Sequence, residues 1–108
     1  MILITNTGAR SGKTYVTPLV YTMDGDDHVI IASYAGSPKH PAWYHNMVAN
    51  PDVTVEVGTE KFAARVVETE GDERRRLFDA QAAQMDVFKS YEEKADAREI
   101  PVLRLVRQ

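Results

Sequence analysis

No cysteine occurs anywhere in the chain. Its absence removes disulfides, thiolate nucleophiles and cysteine-ligated metals together, and it fits a reducing cytoplasm, the expected location. No apolar run approaches the ~20 residues that span a bilayer. Met1 leads straight into Ile2-Leu3-Ile4 without a basic n-region, so neither a signal peptide nor a transmembrane segment is expected. Positive charge is in deficit: 13 Lys and Arg stand against 16 Asp and Glu, for a net charge of −3, and the basic residues are scattered rather than striped. A nucleic-acid partner is therefore not expected. No low-complexity tract, internal repeat or linker interrupts a composition of 44% apolar and 27% charged residues. A single domain over residues 1–108, with a modest core, is the expectation.

What is present is rich in β-forming residues. Residues 2–6 read as a short apolar strand, and Thr7-Gly8-Ala9-Arg10-Ser11-Gly12-Lys13 turns by composition. Residues 14–22 are crowded with β-branched and aromatic side chains, and Asp24-Gly25-Asp26-Asp27 separates them from residues 28–34, which predicts a hairpin. Pro18 has no N–H for a ladder, so its strand lies at an edge or is bulged there. Residues 35–38 are loop, Pro41 fits the first position of a short helix running to about Ala49, and Asn50-Pro51 ends it. Residues 53–57 alternate with period two and residues 62–67 return after a turn, giving a second hairpin. Beyond Gly71, Asp72 can cap a helix with Leu77, Phe78, Ala82 and Met85 on one face, and a break near Asp86 precedes residues 87–95. Residues 100–106 close the chain as a strand. About six strands and two or three helices are too few residues for parallel crossover units, so a mainly β, antiparallel curled sheet or small barrel with helices outside is predicted.

The stretch Gly8-Ala9-Arg10-Ser11-Gly12-Lys13-Thr14 looks like a phosphate loop, but the nucleotide-binding pattern has four residues between its glycines and this one has three. A strand rather than a helix follows it, which excludes an ATPase or GTPase reading. The turn still offers backbone N–H groups, a hydroxyl and two cations to an anion, or else is a solvated hairpin loop. His40, Trp43, Tyr44, His45 and Asn46 concentrate aromatic and hydrogen-bonding groups within two helical turns. The same spacing suits an ordinary core helix burying Trp43 and Met47. His40 and His45, five apart, do not share a helical face, so no metal site is expected. Glu56 and Glu60 have no convergent partner for hydrolysis, Ser11 and Ser33 have no nucleophile-elbow context, and Arg74-Arg75-Arg76 reads as a solvated basic turn.

Taken in order and spacing, residues 7–13, Thr17-Pro18-Leu19-Val20-Tyr21, residues 32–46, Ala49-Asn50-Pro51 and Arg98-Glu99-Ile100-Pro101-Val102 resemble the deazaflavin-dependent nitroreductase family. The similarity covers nearly the whole chain, and the stretch through Asn46 is its most specific part. That family's fold is a split β-barrel of the FMN-binding, pyridoxamine-phosphate-oxidase type, in agreement with the strand pattern. The resemblance implies coenzyme F420 as cofactor. Its phosphate and oligoglutamate tail would lie against Ala9, Arg10, Ser11, Gly12 and Lys13 and the strand Tyr15, Val16, Thr17, Pro18, Leu19 and Val20. Its ring would lie against Ile31, Ala32, Ser33, Tyr34, Ala35 and Gly36 and the helix residues Ala42, Trp43, Tyr44, His45 and Asn46. Phe88 and Tyr91 resemble aromatic positions that close over ring and substrate, with Tyr21 also on the substrate side. Ala9, Tyr15 and Tyr34 stand where tight-binding members usually carry basic residues, so a weaker grip on the tail is expected. The chain begins almost at its first strand, whereas many relatives carry an N-terminal helical segment, and a more open pocket is expected.

The implied activity is hydride transfer from the reduced coenzyme to a small organic acceptor: an enone, a quinone or a nitroaromatic compound. The protein would contribute orientation and a water-poor pocket, with no covalent catalytic residue. Tyr44 and Tyr91 are candidates for relaying the accompanying proton, with Tyr21, His45 and water as alternatives. Rival readings are an FMN-dependent reductase of the same fold and a non-catalytic binder of deazaflavin or a lipid-like ligand. An exposed barrel edge is compatible with a homodimer.

Overall fold

The computed structural model describes residues 1–33, 39–95 and 99–108. Among these, seven strands form one sheet: β1 (Ile2–Thr7), β2 (Thr14–Leu19), β3 (Thr22–Asp24), β4 (Asp27–Ile31), β5 (Asp52–Val57), β6 (Glu60–Glu68) and β7 (Val102–Arg107). Their order is β2-β1-β5-β6-β7-β4-β3, with every neighbouring pair antiparallel. Three helices accompany them, α1 (Ala42–Ala49), α2 (Gly71–Gln84) and α3 (Val87–Ala95).

The topology forces the sheet to curl. β2 and β3 are its two edges, yet only Val20 and Tyr21 separate them. An extended chain covers about 11 Å over the three steps from Leu19 to Thr22. In a flat sheet at ~4.8 Å per strand, the two edges would lie ~29 Å apart. The edges are therefore brought together at that point, giving a split barrel. The expected hairpin over residues 14–34 is corrected accordingly. Thr14–Leu19 pairs with β1, and only Thr22–Asp24 pairs with β4. Pro18 sits in the edge strand opposite Leu3, where a missing N–H costs no second ladder.

Alternation along the strands fills two cores. Ile2, Ile4, Ile30, Val55, Leu103 and Leu105 point to one face and pack inside the barrel with Met47 of α1. Val29, Ile31 and Val102 take the other face and meet Leu77 and Phe78 of α2, Phe88 of α3 and Ile100. β4 is thus covered on both faces, which is why Val29-Ile30-Ile31 reads as an unbroken apolar run. Each fully buried Ile, Leu or Phe contributes roughly 1.5–3 kcal/mol relative to exposure.

Outside, Arg104 of β7 binds Asp24 at 2.7 Å, Asp27 at 2.9 Å and Glu73 at 3.3 Å, fastening α2 over the β3–β4 hairpin. Arg76 and Arg104 together hold the Asp24 carboxyl well below the usual carboxylate range. Arg74-Arg75-Arg76 is not a solvated basic turn. Arg74 is buried and its Nε–H donates to the Ile100 carbonyl at 2.8 Å, while Arg75 pairs with Asp79 and Glu92 and Arg76 with Asp24. A helix so placed uses guanidinium stems to cover apolar surface, a role that charge spacing alone does not show. Two helix starts also differ from expectation. Pro41 is the extended residue before α1, and Glu70 occupies that place before α2, leaving Asp72 in the first turn where its charge suits the helix dipole.

Candidate functional site

One end of the barrel is formed by residues 8–13, the C-terminal end of β4 and α1. Here a cleft of about 1010 Å³ opens, lined by Gly8, Ala9, Arg10 and Ser11 of the turn, by Tyr15, Val16 and Thr17 of β2, and by Pro41 and then Ala42, Trp43, His45 and Asn46 of α1. The turn is compact: the Gly8 N–H donates to Lys13 O at 2.8 Å, Gly12 N–H to Gly8 O at 3.2 Å, and Lys13 N–H to Ser11 Oγ at 3.2 Å. Gly12 takes φ +69°, which only glycine adopts readily. At Gly8 the constraint is space, since a Cβ would meet Ser11 Oγ at 2.7 Å and Tyr15 Cε2 at 3.0 Å.

The helix is tied to this turn by asparagines. Asn46 Oδ1 accepts from the Ala9 N–H at 3.0 Å, and its Nδ2 donates to Asn6 Oδ1 at 3.2 Å. Asn6 in turn donates to Thr17 Oγ1, Ile4 O and Tyr15 O. Asn50 donates to Thr7 O and Gly8 O. Asn6 and Asn50 carry no sequence motif that marks them as site residues. A signal for Asn6 was available, because it continues the inward alternation Ile2, Ile4 and so had to be a buried polar group needing partners.

The His40 ring, just before α1, clusters with those of Tyr44 and His45 on the helix, with centroids 4.7 to 5.8 Å apart. The Tyr44 hydroxyl donates to the Glu68 carboxylate at 2.8 Å. Burial, reinforced by that carboxylate, pushes its pKa up to about 12. Among the described residues, no group of three or more His, Cys, Asp or Glu could hold a metal.

The candidate residues divide by position. Ala9, Arg10, Ser11, Tyr15, Val16, Thr17, Ala42, Trp43, His45 and Asn46 converge on the cleft. Gly12 and Lys13 lie in the same turn but do not line it, Pro18 and Leu19 continue β2 away from it, and Val20 follows the end of that strand. Tyr21 is at the opposite end of the barrel, its ring 5.1 Å from His28. Ile31 is in the outer core, and Ala32 and Ser33 are buried beyond the end of β4 without lining the cleft. Phe88 is 4% exposed in the outer core, with Tyr91 packed beside it at 5.7 Å. Neither lines the cleft, because the apolar face of α3 is taken up by α2 and the barrel wall. Tyr34, Ala35 and Gly36 lie outside the described residues.

The donor set fits a planar coenzyme with an anionic tail. Arg10 supplies the one guanidinium among the lining residues, and the adjacent N–H groups of Arg10 and Ser11 have no partner among the described residues. Pro41, Ala42 and Trp43 supply a flat, largely apolar wall.

A curled antiparallel barrel with such a turn facing an aromatic helix is a split barrel of the FMN-binding, pyridoxamine-phosphate-oxidase-like kind. The family model described as F420H(2)-dependent quinone reductase matches residues 1–107. An F420H(2)-dependent quinone reductase of Mycobacterium tuberculosis is 36% identical over 110 residues, covering 99% of this chain and 73% of that protein. A solved F420-H2 dependent reductase, FDR-A, superposes with TM-score 0.87 at 36% identity, over 96% of this chain and 91% of that one. The heme storage protein HutZ of Vibrio cholerae, at 13% identity and TM-score 0.73 over 99% of this chain and 80% of its own, shares the fold. The chain belongs to the F420H(2)-dependent quinone reductase family, and its coenzyme is reduced F420.

Proposed function

We propose that the cleft between residues 8–11, β2 and α1 is the F420 site, and that the protein reduces quinones or similarly conjugated small acceptors there. The observation that carries this reading is the union, in one cleft, of Arg10, two unpaired neighbouring N–H groups and the Trp43 wall. Bound in its reduced form, the coenzyme supplies a hydride. The chain's own residues bind and orient. Arg10 and the N–H groups of Arg10 and Ser11 take the anionic tail, and Pro41, Ala42 and Trp43 back the ring and keep water from one face. Among the residues considered as proton relays, His45 lines the cleft, whereas the Tyr44 proton is held by Glu68 and Tyr21 and Tyr91 lie elsewhere. His45 or solvent therefore delivers the proton. The quinone in the names of the relatives supports the acceptor class.

Titration with oxidised F420, FMN and FAD tests the cofactor, followed by turnover of reduced F420 with a quinone, an enone and a nitroaromatic compound. F420 binding with quinone reduction is expected. Tight FMN binding without F420 binding, which the rival flavin reading requires, would sink the assignment. Binding without oxidation of the reduced coenzyme by any acceptor would leave only a carrier. A chain 36% identical to this one was solved as a domain-swapped dimer, which supports a homodimer here, and light scattering measures it.

A further inference from the structure

The turn at residues 8–13 carries six backbone N–H groups. Four are engaged: Gly8 with Lys13 O, Ala9 with Asn46 Oδ1, Gly12 with Gly8 O and Lys13 with Ser11 Oγ. The two without a partner among the described residues, Arg10 and Ser11, are consecutive, the arrangement that makes an anion-binding concavity. Which N–H groups remain open depends on the one bond that reaches the turn's backbone N–H groups from another element, Ala9 N–H to Asn46 Oδ1 at 3.0 Å.

That bond is fixed by a chain of donors leading into the barrel. Asn6, 1% exposed, directs its Nδ2 at the Ile4 and Tyr15 carbonyls and at Thr17 Oγ1. An amide flip would set its oxygen against two carbonyl oxygens, so Asn6 Oδ1 must face α1 and accept. Asn46 Nδ2 is the donor it meets at 3.2 Å, which leaves Asn46 Oδ1 for the Ala9 N–H. One turn further along, Asn50 Nδ2 reaches Thr7 O at 3.3 Å and Gly8 O at 3.4 Å and holds the turn's first residues from the same side. Asn6 is buried between β1 and β2, so the orientation is built into the strand pair rather than chosen at the surface.

We propose that Asn46 is a positioning residue for the coenzyme's phosphorylated tail: acting through Ala9 and anchored by Asn6, it holds the turn so that the Arg10 and Ser11 N–H groups stay open to an anion. This rests on the F420 reading and adds to it a division of labour, in which Asn46 affects the tail and not the ring. A helix asparagine that merely stabilised the fold would affect both parts of the ligand alike.

The experiment is a fluorescence titration of the wild-type protein, Asn46→Ala and Asn50→Ala with F420 and with the deazaflavin riboside that lacks the tail. Asn46→Ala is expected to weaken F420 about 10- to 50-fold, as for loss of an oriented pair of hydrogen bonds to an anion, with less than about twofold change for the riboside. Asn50→Ala is expected to do the same with about threefold loss, and it carries the test if Asn46→Ala does not fold. Inorganic phosphate should shift the Arg10 and Ser11 amide signals of the wild type, and Asn46→Ala should abolish this. Equal weakening of both ligands, or unchanged F420 affinity in a folded variant, overturns the proposal and leaves the F420 reading standing. A wild-type protein that binds neither ligand overturns both.

Discussion

At the end of the barrel away from the cleft, Tyr21, His28 and Phe62 stack in series, with centroids 5.1 and 5.7 Å apart. Arg107 lies 3.9 Å over the Phe62 ring and pairs with Glu60, whose carboxyl it holds below its ordinary range. Burial, with the Arg107 charge beside it, holds the His28 pKa below its ordinary value. At the cleft end, α1 stands where such a plug would sit, and the first turn keeps two donors and a guanidinium open. The same sheet thus separates its tasks along the barrel axis. One end is packed and ion-paired, whereas the other presents exposed backbone donors and a guanidinium that a ligand can take over from water.

Cutting the plug should give the largest effect. Phe62→Ala is expected to cost about 3 kcal/mol in urea unfolding while leaving F420 affinity within about twofold; a large affinity loss would show that the two ends are coupled. At the other end the balance reverses. Gly8→Ala pushes a methyl group toward Ser11 and Tyr15, and F420 affinity should fall about tenfold with under about 1 kcal/mol of stability lost, read by titration and unfolding together. Arg10→Met should weaken F420 about fivefold in dilute buffer, and the difference should shrink above about 0.5 M salt because the side chain is exposed. The smallest effect is a slope. His28 has its folded pKa below its ordinary 6.5, so the unfolded chain takes up more protons as pH falls. The stability of the neutral plug is complete above 6.5 and declines below it, down through the folded pKa. Unfolding midpoints from about pH 7.5 to about pH 5.5 should fall, and His28→Leu should flatten that fall even though the nearby charges of Glu60 and Asp27 oppose the shift.

Period-two alternation exposed β5 and β6, Pro18 marked an edge, and Pro41 with Asn50 bracketed α1, because these signals are local in the chain. The passage from one sheet edge to the other at Val20-Tyr21 was invisible, since nothing in a continuous β-forming run shows that its two halves face different partners. Of the cleft, the glycine-rich turn and Trp43 are legible in the sequence as features, and the structure places both on its lining. The lid position expected for Phe88 is not where it lies, because an aromatic on a helix face carries no sign of which surface it meets, and α2 and the barrel wall cover it. Asn6 escapes a sequence reading for the opposite reason. Its importance lies in three partners from two strands and one from a helix, none of which is near it in sequence apart from Ile4.

The two-residue link at Val20-Tyr21 also bears on self-association. Thr14-Tyr15-Val16-Thr17, at the start of the edge strand, is the β-prone part that strand-by-strand addition of foreign chains would use. Because its edge is tethered to the opposite edge, and Pro18 interrupts its donors, an incoming strand finds no long open ladder to extend. Inserting a few glycines at that link should therefore make the protein prone to fibrils before it makes it inactive.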